Sequence, residues 1–120
     1  MPKDRTTCVE FSMLHCKILE AKGFKTVCND FIAWANGRIA DGWKFDRIVM
    51  NPPFSEGRAV VHVKHAASMM ASGGRLVAIM PASNKGKTIV EGMKHTWSAT
   101  HEDKFKDASV DVVILMLEAK

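Results

Sequence analysis

Asn51-Pro52-Pro53-Phe54 is the segment whose residue types and order best suit chemistry. Two successive prolines fix two successive φ values and hold the neighbouring Asn51 amide in one direction. The Asn51 side-chain oxygen and the Pro52 carbonyl both accept hydrogen bonds, and an exocyclic amino group has two N–H donors to offer them. Phe54 adds a flat face on which a planar base can stack. The segment therefore suits a planar, amino-bearing group. Its plain alternative is a rigid turn that ends a strand. Two further polar clusters invite attention: Glu10 with Phe11 and Ser12, and Asn29-Asp30 followed by Phe31. Asp30 suits a ligand role and a helix cap equally well. His62 and His65 are three apart on a helical pattern, but no third ligand has matching spacing, so no metal site is expected. Lys85, Lys87 and Lys94 could meet phosphate or form an ordinary solvated surface.

All three polar clusters need strand ends to present them, and the sequence supplies strands. Residues 6–11 have strand character, and Ser12 can cap a helix to residue 22, with Leu14, Ile18 and Leu19 on one face and Gly23 as its end. Residues 25–28 form a short strand, 31–35 a brief helical turn, and Asn36-Gly37 and Asp41-Gly42 a loop. Residues 45–50 form a strand that stops at the two prolines. A helix is expected over 57–71, closed by Gly73-Gly74, then an apolar strand at 75–80 of the kind buried on both faces. Further expectations are a helix at 87–95, a weak strand at 96–100 and a strong one at 110–117. Such alternation predicts an α/β, three-layered fold, mostly parallel, with the last two strands antiparallel. In such sheets ligands sit at the carboxyl ends of the strands.

The chain has 120 residues, 17 Lys+Arg and 13 Asp+Glu, for a formal net charge of +4. That length fits one domain, residues 1–120, with one real core. The charge permits a polyanionic partner without demanding one. No apolar run reaches the ~20 residues that cross a bilayer, so no membrane association is expected. Met1-Pro2-Lys3-Asp4-Arg5 lacks the apolar region of a secretory signal. Cys8, Cys16 and Cys28 are odd in number and lack C-x-x-C spacing, so all three are expected reduced and packed, in a cytoplasmic setting. Met69, Met70 and Met80, and Trp34, Trp43 and Trp97, are expected to pack.

The run Phe45-Asp46-Arg47-Ile48-Val49-Met50-Asn51-Pro52-Pro53-Phe54 resembles the class I S-adenosylmethionine-dependent methyltransferases, most of all the adenine-N6 DNA methyltransferases of phages and mobile elements. The likeness continues through His62-Val63-Lys64-His65-Ala66 and Gly73-Gly74-Arg75-Leu76-Val77-Ala78-Ile79-Met80 to Phe105-Lys106-Asp107-Ala108. It implies a Rossmann-like sheet, S-adenosyl-L-methionine as cofactor and DNA as partner. It implies Asn51, Pro52, Pro53 and Phe54 as the catalytic segment, with Asn51 and Pro52 holding the substrate amino group. Glu10, with Phe11 beside it, matches the acid that binds the cofactor ribose. Asp30 matches the acid near the cofactor adenine, with Phe31 against that ring. Methylation of an RNA guanine or a protein glutamine amide, and a catalytically dead binding or assembly module, are the alternatives.

The family sets a Gly-rich cofactor loop, with a central strand and a helix, before the acid matched by Glu10. Only nine residues precede Glu10 here, and none is Gly. Omission of a central strand exposes two inner edges, and leaving their groups buried and unpaired at ~1–3 kcal/mol each would rival a domain's stability. Direct pairing of strands 6–11 and 45–50, or a homodimer or strand exchange with a second copy, is the expected remedy.

Overall fold

The computed structural model describes residues 6–10, 13–101 and 111–119. Phe11, Ser12 and the Phe105-Lys106-Asp107-Ala108 run lie outside the described residues. The chain divides into two compact units, Met1–Asp41 and Gly42–Lys120.

In the first unit, Thr7–Glu10 (β1) and Lys25–Cys28 (β2) pair in parallel, with Glu10 opposite Cys28. Met13–Ala21 (α1) connects them, and the chain turns at Gly23 as expected. The core side of α1 runs through Cys16, 1% exposed, whereas Leu14 and Ile18 stay exposed at 66% and 43%. The brief turn expected after Asp30 is a ten-residue helix, Phe31–Ala40 (α2), which continues through Asn36-Gly37. Its strong N-cap outweighs the glycine's cost of ~1 kcal/mol. Cys16 and Cys28 form a disulfide, which corrects the expectation of three reduced thiols; Cys8 alone is free. The crossover of α1 sets their Cα atoms 5.8 Å apart, a span a bridge accommodates. The pairing also removes the sequence argument for a reducing compartment.

In the second unit, Phe45–Met50 (β3), Met70–Pro81 (β4), Met93–Trp97 (β5) and Val112–Ala119 (β6) form one sheet in the order β3-β4-β6-β5. The β3–β4 pair is parallel, and β6 runs antiparallel to both β4 and β5. Arg58–Ala67 (α3) connects β3 to β4 and buries Ala59, Val63, Ala66 and Ala67. Leu76, Ala78 and Met80 of β4 are fully buried beside Leu117, Leu115 and Val113 of β6, which are paired with them in register. Burial along β4 alternates, with Arg75 and Ile79 exposed, so one face of this strand is core, not two. The helix expected at 87–95 does not form. Thr88-Ile89-Val90 is a β-branched run that disfavours helix, and His95 Nε2 accepts the Ile89 and Val90 amides at 3.0 and 3.3 Å, which commits those donors to a loop.

Gly73-Gly74 lies within β4 and does not close α3. Between the pairs Phe45↔Met70 and Arg47↔Arg75 the register shifts, so β4 bulges there. A Cβ on Gly74 would lie 2.8 Å from the Ala71 carbonyl oxygen and 3.2 Å from that of Asp46. The glycine is thus required by close backbone approach.

Among the described residues β1 pairs with β2 within the first unit, and β3 pairs with β4 within the second. No described helix is long and apolar enough to cross a membrane.

Candidate functional site

β3 and β4 are parallel, so their carboxyl ends lie on one side. β3 ends at Met50 and is followed by the proline corner; β4 ends at Pro81 and enters a 3-10 turn, Ala82–Asn84. A cavity of about 520 Å³ lies there, lined by Phe54, Ser55, Gly57, Ala59, Val60, Pro81, Ser83 and Asn84. Apolar walls with a few polar groups are the usual make-up of a small-molecule pocket. Pro52 is buried and anchors the corner, Pro53 and Phe54 are half-buried, and Asn51 is exposed. Asn51 is therefore accessible to solvent. Of the four residues singled out from the sequence, Phe54 lines the cavity, whereas Asn51, Pro52 and Pro53 are not among its lining residues.

A second 3-10 turn, Ser55–Gly57, carries the chain from Phe54 into α3. Glu56 there has φ 57°, the one non-glycine residue with a positive φ among those described, and Gly57 follows at 69°. Left-handed backbone at a non-glycine residue costs of order 1 kcal/mol and tends to mark functional segments. Arg58 Nε donates to the Ser55 carbonyl at 3.3 Å, and Arg58 Nη2 also donates to the Ser55 hydroxyl.

The first unit brings together the two acids singled out for the cofactor. Glu10 ends β1, and Asn29-Asp30 follows the end of its parallel neighbour β2, with the Asn29 amide donating to the Glu10 carbonyl at 3.0 Å. Glu10 is half-buried, and its Oε1 lies 3.7 Å from His15 Nδ1. Asp30 is exposed and caps α2, its Oδ2 accepting the Ala33 amide at 3.0 Å. The cap reading of Asp30 is therefore real, and it leaves Oδ1 available. Phe31 packs near Trp34, with ring centroids 6.4 Å apart. Two carboxylates at adjacent strand ends fit the hydroxyl and amino donors of a nucleoside, so these residues suit the nucleoside half of S-adenosylmethionine. Burial pushes the nearby Cys8 thiol above its ordinary value of 9.0.

Ser83 and Asn84 were not singled out from the sequence. The available signal was positional: Pro81-Ala82-Ser83-Asn84 follows an apolar strand, as the proline corner does. No group of three or more His, Cys, Asp or Glu among the described residues is placed to hold a metal ion.

Comparison with known proteins places this geometry. TehB from Haemophilus influenzae is similar in structure, with a TM-score of 0.70 at 14% identity over 95% of this chain and 49% of TehB. SMU.776, solved in complex with SAH, gives a TM-score of 0.59 at 15% identity over 93% of this chain and 38% of its own. An rRNA methylase from Streptococcus thermophilus gives 0.57 at 8% identity over 98% of this chain and 75% of its own. At such identities the likeness is one of fold, the α/β Rossmann-like fold. The chain spans about half the length of TehB and 38% of SMU.776. No curated protein matches it by sequence. The family described as the methyltransferase small domain matches residues 2–109, nearly the whole chain. The chain belongs to the methyltransferase small domain family.

Proposed function

We propose that the chain supports S-adenosylmethionine-dependent methyl transfer to an exocyclic amino group, with adenine N6 in DNA as the acceptor. The observation that carries this reading is the corner after β3: Asn51 faces solvent on a proline-stiffened turn, and Phe54 lines the adjoining cavity.

Bound S-adenosylmethionine supplies an electrophilic methyl group. An adenine amino nitrogen is a poor nucleophile because its lone pair is conjugated with the ring. The Asn51 side-chain oxygen and the Pro52 carbonyl accept its two N–H groups and favour a more tetrahedral nitrogen. Phe54 stacks on the base and fixes its plane. Positioning and electrostatics then do most of the work. Glu10 would accept ribose hydroxyls and Asp30 the cofactor's adenine amino group, with Phe31 beside that ring. The SAH held by SMU.776 supports the cofactor class, and the Streptococcus thermophilus rRNA methylase supports a nucleic-acid acceptor while making RNA an arm of the test. The edge of β3 away from β4 has no partner strand among the described residues, and we propose a second copy of the chain for it.

The test is transfer of labelled methyl from S-adenosylmethionine to single-stranded DNA, duplex DNA, RNA and protein, beside calorimetry with the cofactor and with SAH. Incorporation into DNA that falls about 100-fold or more in Asn51→Ala supports the proposal. The same loss on RNA or protein reassigns the acceptor. No incorporation and no heat at millimolar cofactor overturns the proposal in favour of a binding module.

A further inference from the structure

The residues that line the cavity carry no charge, yet Arg58 and Lys85 each adjoin a lining residue in the chain. Arg58 is held against the lining residue Ser55 by two hydrogen bonds. Ser83 and Asn84 lead directly into Lys85-Gly86-Lys87. That loop has a fixed backbone: the Ala82 amide donates to the Asp111 carbonyl at 2.9 Å, the Lys85 amide to the Ala82 carbonyl at 3.0 Å, and the Lys87 amide to the Asn84 carbonyl at 3.1 Å. Lys85 and Lys87 are both exposed, and neither makes an ion pair with another described residue. Glu56 lies within the Ser55–Gly57 turn and Asp111 adjoins Ala82, so three cations stand against two carboxylates in the segments that frame the cavity.

A net excess of cations around an apolar depression favours a positive potential at its mouth. Their placement in the two separate segments that supply the lining suits a ligand whose negative charges lie on either side of a flat group. We infer that Arg58, Lys85 and Lys87 hold the phosphates flanking a nucleotide whose base enters the cavity against Phe54, the strand being single or locally opened. The choice of a base as occupant rests on the methyl-transfer reading; the phosphate grip stands on the charge arrangement. Phosphate contacts of this kind set position and affinity, and an aromatic face accepts any base.

The experiment is fluorescence anisotropy of a labelled oligodeoxyadenylate across a salt series, without cofactor. Each lost phosphate contact on a single strand lowers the log–log salt slope by about 0.7, so Lys85→Ala/Lys87→Ala is expected to flatten it by about 1.4. Affinity at low salt should fall roughly tenfold or more. Arg58→Gln should flatten the slope by a further ~0.7. Lys17→Ala/Lys22→Ala, with both lysines exposed in the first unit, should leave the slope unchanged. An oligoriboadenylate bound with the same slopes supports the inference with RNA as the strand. An unchanged slope in the Lys85/Lys87 variant overturns it, as does lack of binding by the unmodified chain. Equal competition by polyglutamate also overturns it, because any polyanion would then serve. Methyl incorporation on the same samples separates the two proposals. A slope change without incorporation leaves the phosphate grip and removes methyl transfer, whereas incorporation unaffected by the lysine variant does the reverse.

Discussion

Cys16 and Cys28 are 12 residues apart in the chain, and their bridge ties the buried side of α1 to the carboxyl end of β2. Asn29 and Asp30 follow directly, so the bridge restrains the strand end that carries one of the two proposed cofactor acids. Closing a loop of this length is worth roughly 3 kcal/mol in the chain-entropy account. Reduction with a thiol, or Cys28→Ser, should lower the thermal midpoint by several degrees and weaken cofactor binding. Cys8→Ser should leave both unchanged. Equal stability with and without reductant would argue against the bridge.

Gly74 tests the bulge in β4. A methyl group there meets carbonyl oxygens of Ala71 and Asp46, and neither is a flexible side-chain end that can swing away. Gly74→Ala should therefore destabilise the second unit by about 1–3 kcal/mol. Gly37→Ala is the control. Nothing lies within 4 Å of a Cβ at Gly37, and the site is inside α2, so that change should stabilise by a few tenths to ~1 kcal/mol. Urea denaturation of the two variants checks both signs.

Local patterning carried much of this fold. The strands at 25–28 and 45–50 stand where their residues put them, because short β-branched or apolar runs bounded by turn residues leave little choice. The strand stop at the proline corner was equally legible, since the missing amide proton of proline is a local property. The misses arise where distant atoms decide. The Lys87–His95 stretch looks helical until His95 captures the Ile89 and Val90 amides. Gly73-Gly74 reads as a helix stop until the Asp46 carbonyl is known to lie against it. The Cys16–Cys28 spacing has no signature, because only the crossover of α1 brings the two together. Ser83 and Asn84 join the cavity through the parallel pairing of β3 and β4, which residue types alone do not announce.

Burial raises the Cys8 thiol above 9.0, so the native chain holds less thiolate than the unfolded chain in mildly alkaline solution. Iodoacetamide should label Cys8 more slowly in the native than in the denatured protein at pH 8 to 9. The linkage has a definite sign. Below 9.0 both states keep the proton and stability is unaffected; above it the unfolded state releases its proton first, so this group's contribution to stability is lost as pH rises. Cys8→Ala should remove that alkaline slope.

Asp30 has a structural duty as well as its proposed ligand role, and two substitutions separate them. Asparagine caps a helix about as well as aspartate, so Asp30→Asn should keep the thermal midpoint, whereas Asp30→Ala should cost ~1 kcal/mol. Both remove the carboxylate proposed to accept the cofactor's amino group. Calorimetry should show weakened S-adenosylmethionine binding in both variants, with only Asp30→Ala less stable. Full affinity in Asp30→Asn would confine Asp30 to capping α2.

Phe54 is half-buried and lines the cavity without being part of the fully buried core, so its ring can be removed at modest structural cost. Stacking of a base on an aromatic face is worth ~1–3 kcal/mol, so Phe54→Ala should raise KM for an adenine-containing strand about 5- to 150-fold. Phe54→Trp keeps a flat face and should retain most of the affinity. Asn51→Ala should act differently: it removes an acceptor that strengthens as the nitrogen becomes tetrahedral, so kcat should fall while KM changes little. That split is the decisive feature. If Phe54→Ala and Asn51→Ala lower kcat and raise KM alike, the corner acts as one rigid platform, and the division into a stacking ring and a polarising amide is wrong.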